Sequence, residues 1–294
     1  MIPQSVKEYL KELISKQLNT TVSSLDAKSV GGGSINSTCQ LIVNHQTKFF
    51  LKLNSSTKFP DLFRNEKDGL EFLARQNCIR TPSVILHGTI DNNQLLLLEW
   101  IETGIRTENF WKKSGEQLAQ LHSVTNEQFG FADDNYMGAL PQQNNFTKSW
   151  TEFFITYRLI PQIELAVSKK LLQKNHAISF ESVFKNLDSI FNTEKPSLLH
   201  GDLWSGNFMC NDQSLPVLID PAIYFGHRSM DLAMTTLFSG FDQVFYDSYH
   251  YHFPFPVNFR EQWEICNLYP LLIHLNLFGE GYLNDITTTL RRYA

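Results

Sequence analysis

At 294 residues the chain is long enough for one large domain or for two lobes around a cleft. With 42% hydrophobic and 19% charged residues it reads as a soluble globular protein, and a net charge of -5 leaves no basic field to attract nucleic acid or an anionic membrane. The four cysteines, Cys39, Cys78, Cys210 and Cys266, form no CxxC pair, which argues against a zinc site or a disulfide framework and fits a reducing cytoplasm.

Val6, Leu10, Leu13 and Leu18 fall at helical spacing among Lys and Glu, predicting an amphipathic N-terminal helix rather than a signal peptide. No apolar run is long enough to span a bilayer. From Ser29 to Leu53 a glycine turn (GGGSINS), the apolar stretch Cys39 to Val43, a polar Asn44-His45-Gln46 turn and the run Phe49 to Leu53 predict a β-hairpin. Phe63, Glu66, Leu70 and Leu73 then mark a helix to Arg75, and Val84 to Leu86 and Leu95 to Leu98 mark two further strands. Beyond Ser114 the pattern is mainly helical, through Leu118, Leu121 and Val124, then Phe153, Tyr157 and Ile160, and later Asp231 to Phe238 and Ile265 to Phe278. The helical pattern is interrupted from Pro196 to Asp220, where two short apolar runs flank a polar loop. The expected architecture is α+β, with a small β-rich part over residues 1–101 and a larger, mainly α-helical part over residues 102–294, joined near Glu99-Trp100-Ile101.

The chemistry concentrates in His200-Gly201-Asp202-Leu203-Trp204-Ser205-Gly206-Asn207 and in Leu218-Ile219-Asp220. Phosphoryl transfer from ATP needs an oriented hydroxyl and cations that neutralise the phosphate oxygens. Asp202 suits the role of aligning or deprotonating the hydroxyl. Asn207 and Asp220 supply the hard oxygens that Mg²⁺ prefers. An isolated Asp-x4-Asn more often caps a turn, but the surrounding HGD and the following Leu-Ile-Asp shift the balance to a kinase loop.

HGDLWSGN followed by LIDPA resembles the aminoglycoside- and choline-kinase-like branch of the protein kinase fold. The longer string, HGDLWSGNFM…LIDPAIYFGHRSMDLAMTTLFSGF, is similar to the fructosamine kinase (ketosamine 3-kinase) family, and GGGSIN, FFLKLN and LLLLEW extend the likeness over nearly the whole chain. The resemblance implies a protein-kinase-like bilobal fold and ATP- and Mg²⁺-dependent phosphorylation of a hydroxyl, the 3-hydroxyl, of a small-molecule or protein-bound ketosamine. It implies Lys52 as the strand lysine on the α/β-phosphates and Glu66 as its helix partner, with Glu71 the rival should the helix register differ. Gly31, Gly32, Gly33 and Ser34 would let backbone amides approach the phosphates. Relatives often carry cysteine where this chain has Ser34, so no thiol switch is expected there. Glu99, Trp100 and Ile101 would form the hinge that meets adenine.

On the acceptor side the resemblance points to Trp204 as a stacking surface and to His227 and Arg228 as substrate contacts. Bracing of the loop is the alternative for all three and the favoured role for His227, and Asp231 either braces the loop or meets substrate. Ser229 departs from the acidic residue usual after the arginine, which leaves the acceptor open. The alternatives are a kinase for an aminoglycoside, choline or homoserine, and a pseudokinase, although Lys52, Asp202, Asn207 and Asp220 are all present. A protein kinase is disfavoured, since the stretch from Asp220 to Asp231 is too short for an activation loop and no APE follows. The sequence leaves the oligomeric state open.

Overall fold

The computed structural model describes residues 2–31 and 35–293. It opens with α1 (Gln4–Gln17), β1 (Leu25–Ser29), β2 (Ser37–Val43), β3 (Thr47–Ser55), α2 (Leu62–Arg75), β4 (Val84–Ile90) and β5 (Asn93–Glu99). Then come α3 (Glu108–His122), β6 (Asn135–Met137), β7 (Leu140–Gln142), α4 (Trp150–Phe154), a π-helical turn (Ile155–Leu159), α5 (Ile160–Ser168) and α6 (Lys174–Ile190). The rest is β8 (Ser197–Leu199), β9 (Phe208–Cys210), β10 (Pro216–Leu218), β11 (Tyr224–Gly226), α7 (Ser229–Leu237), α8 (Gln243–His252), α9 (Phe259–Cys266), α10 (Leu268–Phe278) and α11 (Leu283–Tyr293). No helix among the described residues is long and apolar enough to cross a membrane.

The chain divides into two units, residues 1–105 with 209–220, and residues 106–208 with 221–294. The division therefore differs from a single break after residue 101. A twelve-residue segment leaves the helical part of the sequence and belongs to the sheet-bearing unit. Gly104 N–H donates to Cys210 O at 2.9 Å, Leu218 N–H donates to Arg80 O at 2.9 Å, and Arg80 and Val217 form a parallel bridge. Gly104 has to lack a side chain there, because a Cβ would lie 2.0 Å from the Asn211 carbonyl oxygen.

In the front unit the strands run antiparallel in the order β1-β2-β3-β5-β4. The β2–β3 hairpin pairs Val43 with Thr47 across a turn in which Asn44 (φ 50°) and His45 (φ 60°) are both left-handed, the backbone twist that favours tight hairpins. Helix α1 buries Val6, Leu10 and Ile14, an i, i+4, i+8 stripe, against the apolar face formed by Leu41, Leu51, Leu95 and Leu97. Leu18, expected on that stripe, lies past the helix end and is exposed. Strand β1 was not predicted, since one of its five residues, Leu25, is buried and the apolar alternation is absent.

The rear unit is built on helices. Helices α3 and α8 pack closely at Gly115, where a Cβ would fall 2.4 Å from the Phe245 carbonyl oxygen. The short β8–β11 pair sets Leu199 beside Tyr224, and so places the residues that follow Leu199 next to those that precede Tyr224.

Candidate active site

Lys52 lies on β3, opposite Thr38 on β2 and Leu96 on β5, and only 2% of its side chain is exposed. Its Nζ donates to Glu66 Oε1 at 2.7 Å and Oε2 at 2.8 Å, and stands 2.8 Å from Asp220 Oδ1. Burial alone would lower the lysine's pKa, but the carboxylates of Asp220 and Glu66 more than offset it and hold the ammonium above its usual range. Burial also pushes Glu66 up, to about 7, against the pull of Lys52 and with the help of Asp220. The helix register resolves the choice of partner. Glu66 shares the buried face of α2 with Phe63, Leu70 and Leu73, whereas Glu71 pairs with Lys67 at 3.1 Å. Asp220 follows β10 in a left-handed conformation (φ 55°), a strained position that Asp tolerates better than most residues. Its side chain remains 35% exposed.

Of the glycine-turn residues, Gly31 is exposed with open space where a Cβ would be, and Gly32, Gly33 and Ser34 lie outside the described residues. Glu99 ends the β3–β5 ladder, its side chain accepting hydrogen bonds from Arg80 Nη2 and, at 3.1 Å, from Ser83 N–H. Trp100 and Ile101 lie beyond that ladder, with the Trp100 ring tilted against Phe50.

In the rear unit the loop from His200 to Asn207 is fixed through its main chain. Asp231, on α7 and almost fully buried, accepts from His200 N–H at 2.7 Å and Gly201 N–H at 2.9 Å. Its Oδ2 is also 3.2 Å from His122 Nε2. Because a carboxylate only accepts, His122 Nε2 is the donor of that contact, and Nδ1 lies 2.8 Å from the Tyr249 hydroxyl. Burial pushes that hydroxyl well above its usual range, so it stays a donor. Gly201 (φ 83°) lets the loop pass the 221–223 segment, where a Cβ would lie 2.0 Å from Ala222 O.

Asn207 joins this loop to Asp202. Its Nδ2 donates to Asp202 O and to Asp202 Oδ2, each at 2.9 Å. Both amide hydrogens are thereby spent, which leaves Oδ1 as the atom a cation can take. Trp204 is 37% exposed, with its ring edge-on to Phe238 at 6.0 Å. Gly206 makes room for the indole, since a Cβ there would lie 2.2–2.6 Å from three ring carbons. So Lys52, Glu66 and Asp220 come together in the front unit, and Asp202 and Asn207 in the rear one.

The fructosamine kinase family model matches residues 6–294. The chain belongs to the fructosamine kinase family. It is 37% identical over 286 residues to a probable ketoamine kinase of Synechocystis, covering 96% of each chain. It is 34% identical over 277 residues to a chloroplastic protein-ribulosamine 3-kinase of Arabidopsis thaliana, covering 90% of this chain and 81% of that one. Among solved structures, a putative fructosamine-3-kinase from Haemophilus somnus superposes with a TM-score of 0.86 at 26% identity, over 96% of this chain and 94% of the other. The fold is protein-kinase-like and α+β.

Two residues expected to face the acceptor are instead interior in this fructosamine kinase family member. Arg228 donates from Nε and Nη2 to Glu194, both at 2.9 Å, and from Nη1 and Nη2 to the carbonyls of Phe253 and Pro254. Its guanidinium lies 3.8 Å from the centre of the Phe253 ring. With its donors occupied it braces the turn before α7. His227 is buried between the rings of Trp150 and Phe191, and burial lowers its pKa to about 4. Asp231 takes the bracing role of the two weighed for it. Sequence reasoning missed His122, whose signal was a polar residue four positions after Leu118 on an apolar helix face, and Gly206, hidden inside the loop motif.

Proposed function

We propose that this chain transfers the γ-phosphoryl group of ATP to the 3-hydroxyl of a ketosamine, a sugar joined to an amine through an Amadori linkage. Phosphorylation there destabilises the adduct and permits deglycation of an amine, free or protein-bound. The observation that carries the nucleotide half is the buried Lys52 ammonium held by Glu66 and Asp220. A buried cation with one partly exposed carboxylate partner is poised for polyanionic phosphate oxygens, which it meets as a point charge.

Asp202 aligns the acceptor hydroxyl and receives its proton, while the Asn207 amide holds the carboxylate in place. Asn207 Oδ1 and the Asp220 carboxylate fit Mg²⁺ as hard oxygen donors, since the first is freed by its own hydrogen bonds and the second is exposed. Mg²⁺ would supply charge neutralisation of the phosphate oxygens. Glycines 31–33 with Ser34, and the Glu99–Ile101 segment, serve the nucleotide, and Trp204 serves the acceptor. The front unit is thereby the nucleotide half and the rear unit the acceptor half. The four free cysteines suit a reducing cytoplasm.

The test is steady-state kinetics with ATP and Mg²⁺ on fructose-lysine, ribulose-lysine, an aminoglycoside and choline. Turnover of the first two and neither of the others is expected, and Asp202→Asn should abolish it. Turnover of only an aminoglycoside or choline would overturn the ketosamine assignment and leave a hydroxyl kinase of other specificity.

A further inference from the structure

A row of aromatic side chains begins at Trp204 on the loop after Asp202 and runs on through rings that the chemistry above does not use. Trp204, two residues after Asp202, meets Phe238 at 6.0 Å between ring centres, and Phe238 meets His274 at 4.9 Å. His274 in turn lies 5.5 Å from Phe278, one helical turn further along α10, and 5.1 Å from Tyr282. Both ends of the row are open, Trp204 at 37% and Phe278 at 54% exposure. All five rings belong to one unit, so the path is continuous within a single body. An unbroken line of rings with both ends exposed, starting at a reactive loop, marks a contact surface for a ligand rather than scattered surface residues.

The row also has a definite polarity. None of its members is a carboxylate, a lysine or an arginine. Its histidine is turned by a contact between Nδ1 and the Pro270 carbonyl oxygen at 2.7 Å, and burial lowers the pKa of the ring. The rings themselves supply no counter-charge for a carboxylate but offer faces to C–H groups and to other rings.

Resting on the ketosamine reading, we propose that this row is the subsite for the amine half of the acceptor. It takes the hydrocarbon or aromatic stem that bears the sugar, in preference to the carboxylate-bearing stem of a free α-amino acid. The sugar lies at the Trp204 end, nearest Asp202, and the stem runs towards Phe278. A lysine side chain within a peptide meets this description, with its α-carboxylate removed as an amide and four methylenes to lay along the rings.

The experiment compares kcat/KM for two adducts of the same sugar, fructose on benzylamine and fructose on glycine. The wild type should favour the benzylamine adduct. Phe278→Ala should lower the ratio of the two values about tenfold, the scale of one lost ring contact with its buried area. Tyr251→Ala, which removes a ring 82% exposed on α8 and outside the row, should leave the ratio where it was. A wild type with no preference, or a ratio unmoved in Phe278→Ala, overturns the subsite while the kinase reading stands. If the wild type phosphorylates neither adduct but accepts choline or an aminoglycoside, the ketosamine reading falls and the subsite with it.

Discussion

Lys52 in the front unit is held by the charges of two side chains from distant parts of the sequence. The loop carrying Asp202 in the rear unit is held by its own amides, which donate to the buried Asp231. The first arrangement is electrostatic and has a partly exposed member, Asp220, that a ligand can engage. The second is a main-chain clamp in which the fixed anion is inside and the reactive carboxylate is not part of the lock. On the proposed reading, charge in the front unit is set to respond to a polyanion, whereas geometry in the rear unit is set by hydrogen bonds within the protein. Enzymes need both, since phosphoryl transfer depends on neutralising charge and on aligning a nucleophile.

The largest expected effect comes from the exposed end of the electrostatic group. Asp220→Asn should remove turnover altogether while keeping the fold, because Asn also tolerates the left-handed backbone there and Glu66 still pairs with Lys52. Wild-type kcat at saturating Mg²⁺ would show that Asp220 is no ligand. Next comes Lys52→Met, which keeps the stem and deletes the charge. Loss of one contact that strengthens in the transition state costs about 3–4 kcal/mol, a few hundredfold in kcat/KM for ATP. A value within threefold of wild type would reduce Lys52 to a strand residue.

The interior of the rear unit can be tested without substrate. His227 is pushed from the usual 6.5 down to about 4, chiefly by burial. The folded state therefore resists protonation that the unfolded chain accepts. Stability from this group is complete above pH 6.5 and declines as pH falls towards 4, by up to about 3 kcal/mol. Urea unfolding between pH 7 and 4 should show that decline, and His227→Gln should flatten it. The same slope in both proteins would locate the acid sensitivity elsewhere. The smallest effect is expected for Gly206→Ala, whose new Cβ displaces the Trp204 indole without touching Asp231. Acceptor kcat/KM should fall about tenfold while the background ATPase rate holds, as for a lost stacking face. Equal loss in both would make Trp204 part of the scaffold.

Much of the front unit was legible because its signals are local. The hairpin turn, the apolar run of β3 with Lys52 inside it, and the α2 stripe bearing Glu66 all follow from spacing. The loop from His200 to Asn207 was legible because its chemistry is written in consecutive residues. The surroundings of His227 and Arg228 were not legible, for the converse reason. Nearness in sequence to the loop says nothing about which way the turn before α7 faces, and there it faces Phe191, Glu194 and Phe253. The π-helical turn at Ile155–Leu159, which carries the buried Arg158 between the rings of Phe153 and Tyr224, also had no signal, since its apolar spacing reads as an ordinary helix.

The return of residues 209–220 to the front unit has a consequence for biosynthesis. When the ribosome has delivered residues 1–105, the residues of the sheet and of α2 have been made, Lys52 and Glu66 among them. Asp220 is still more than a hundred codons away. The charge group is finished only after the loop from His200 to Asn207 has been made, so a chain truncated before Asp220 cannot hold the complete group of Lys52, Glu66 and Asp220. On the proposed reading, order of synthesis thus couples completion of the nucleotide site to the presence of the residues that use the nucleotide.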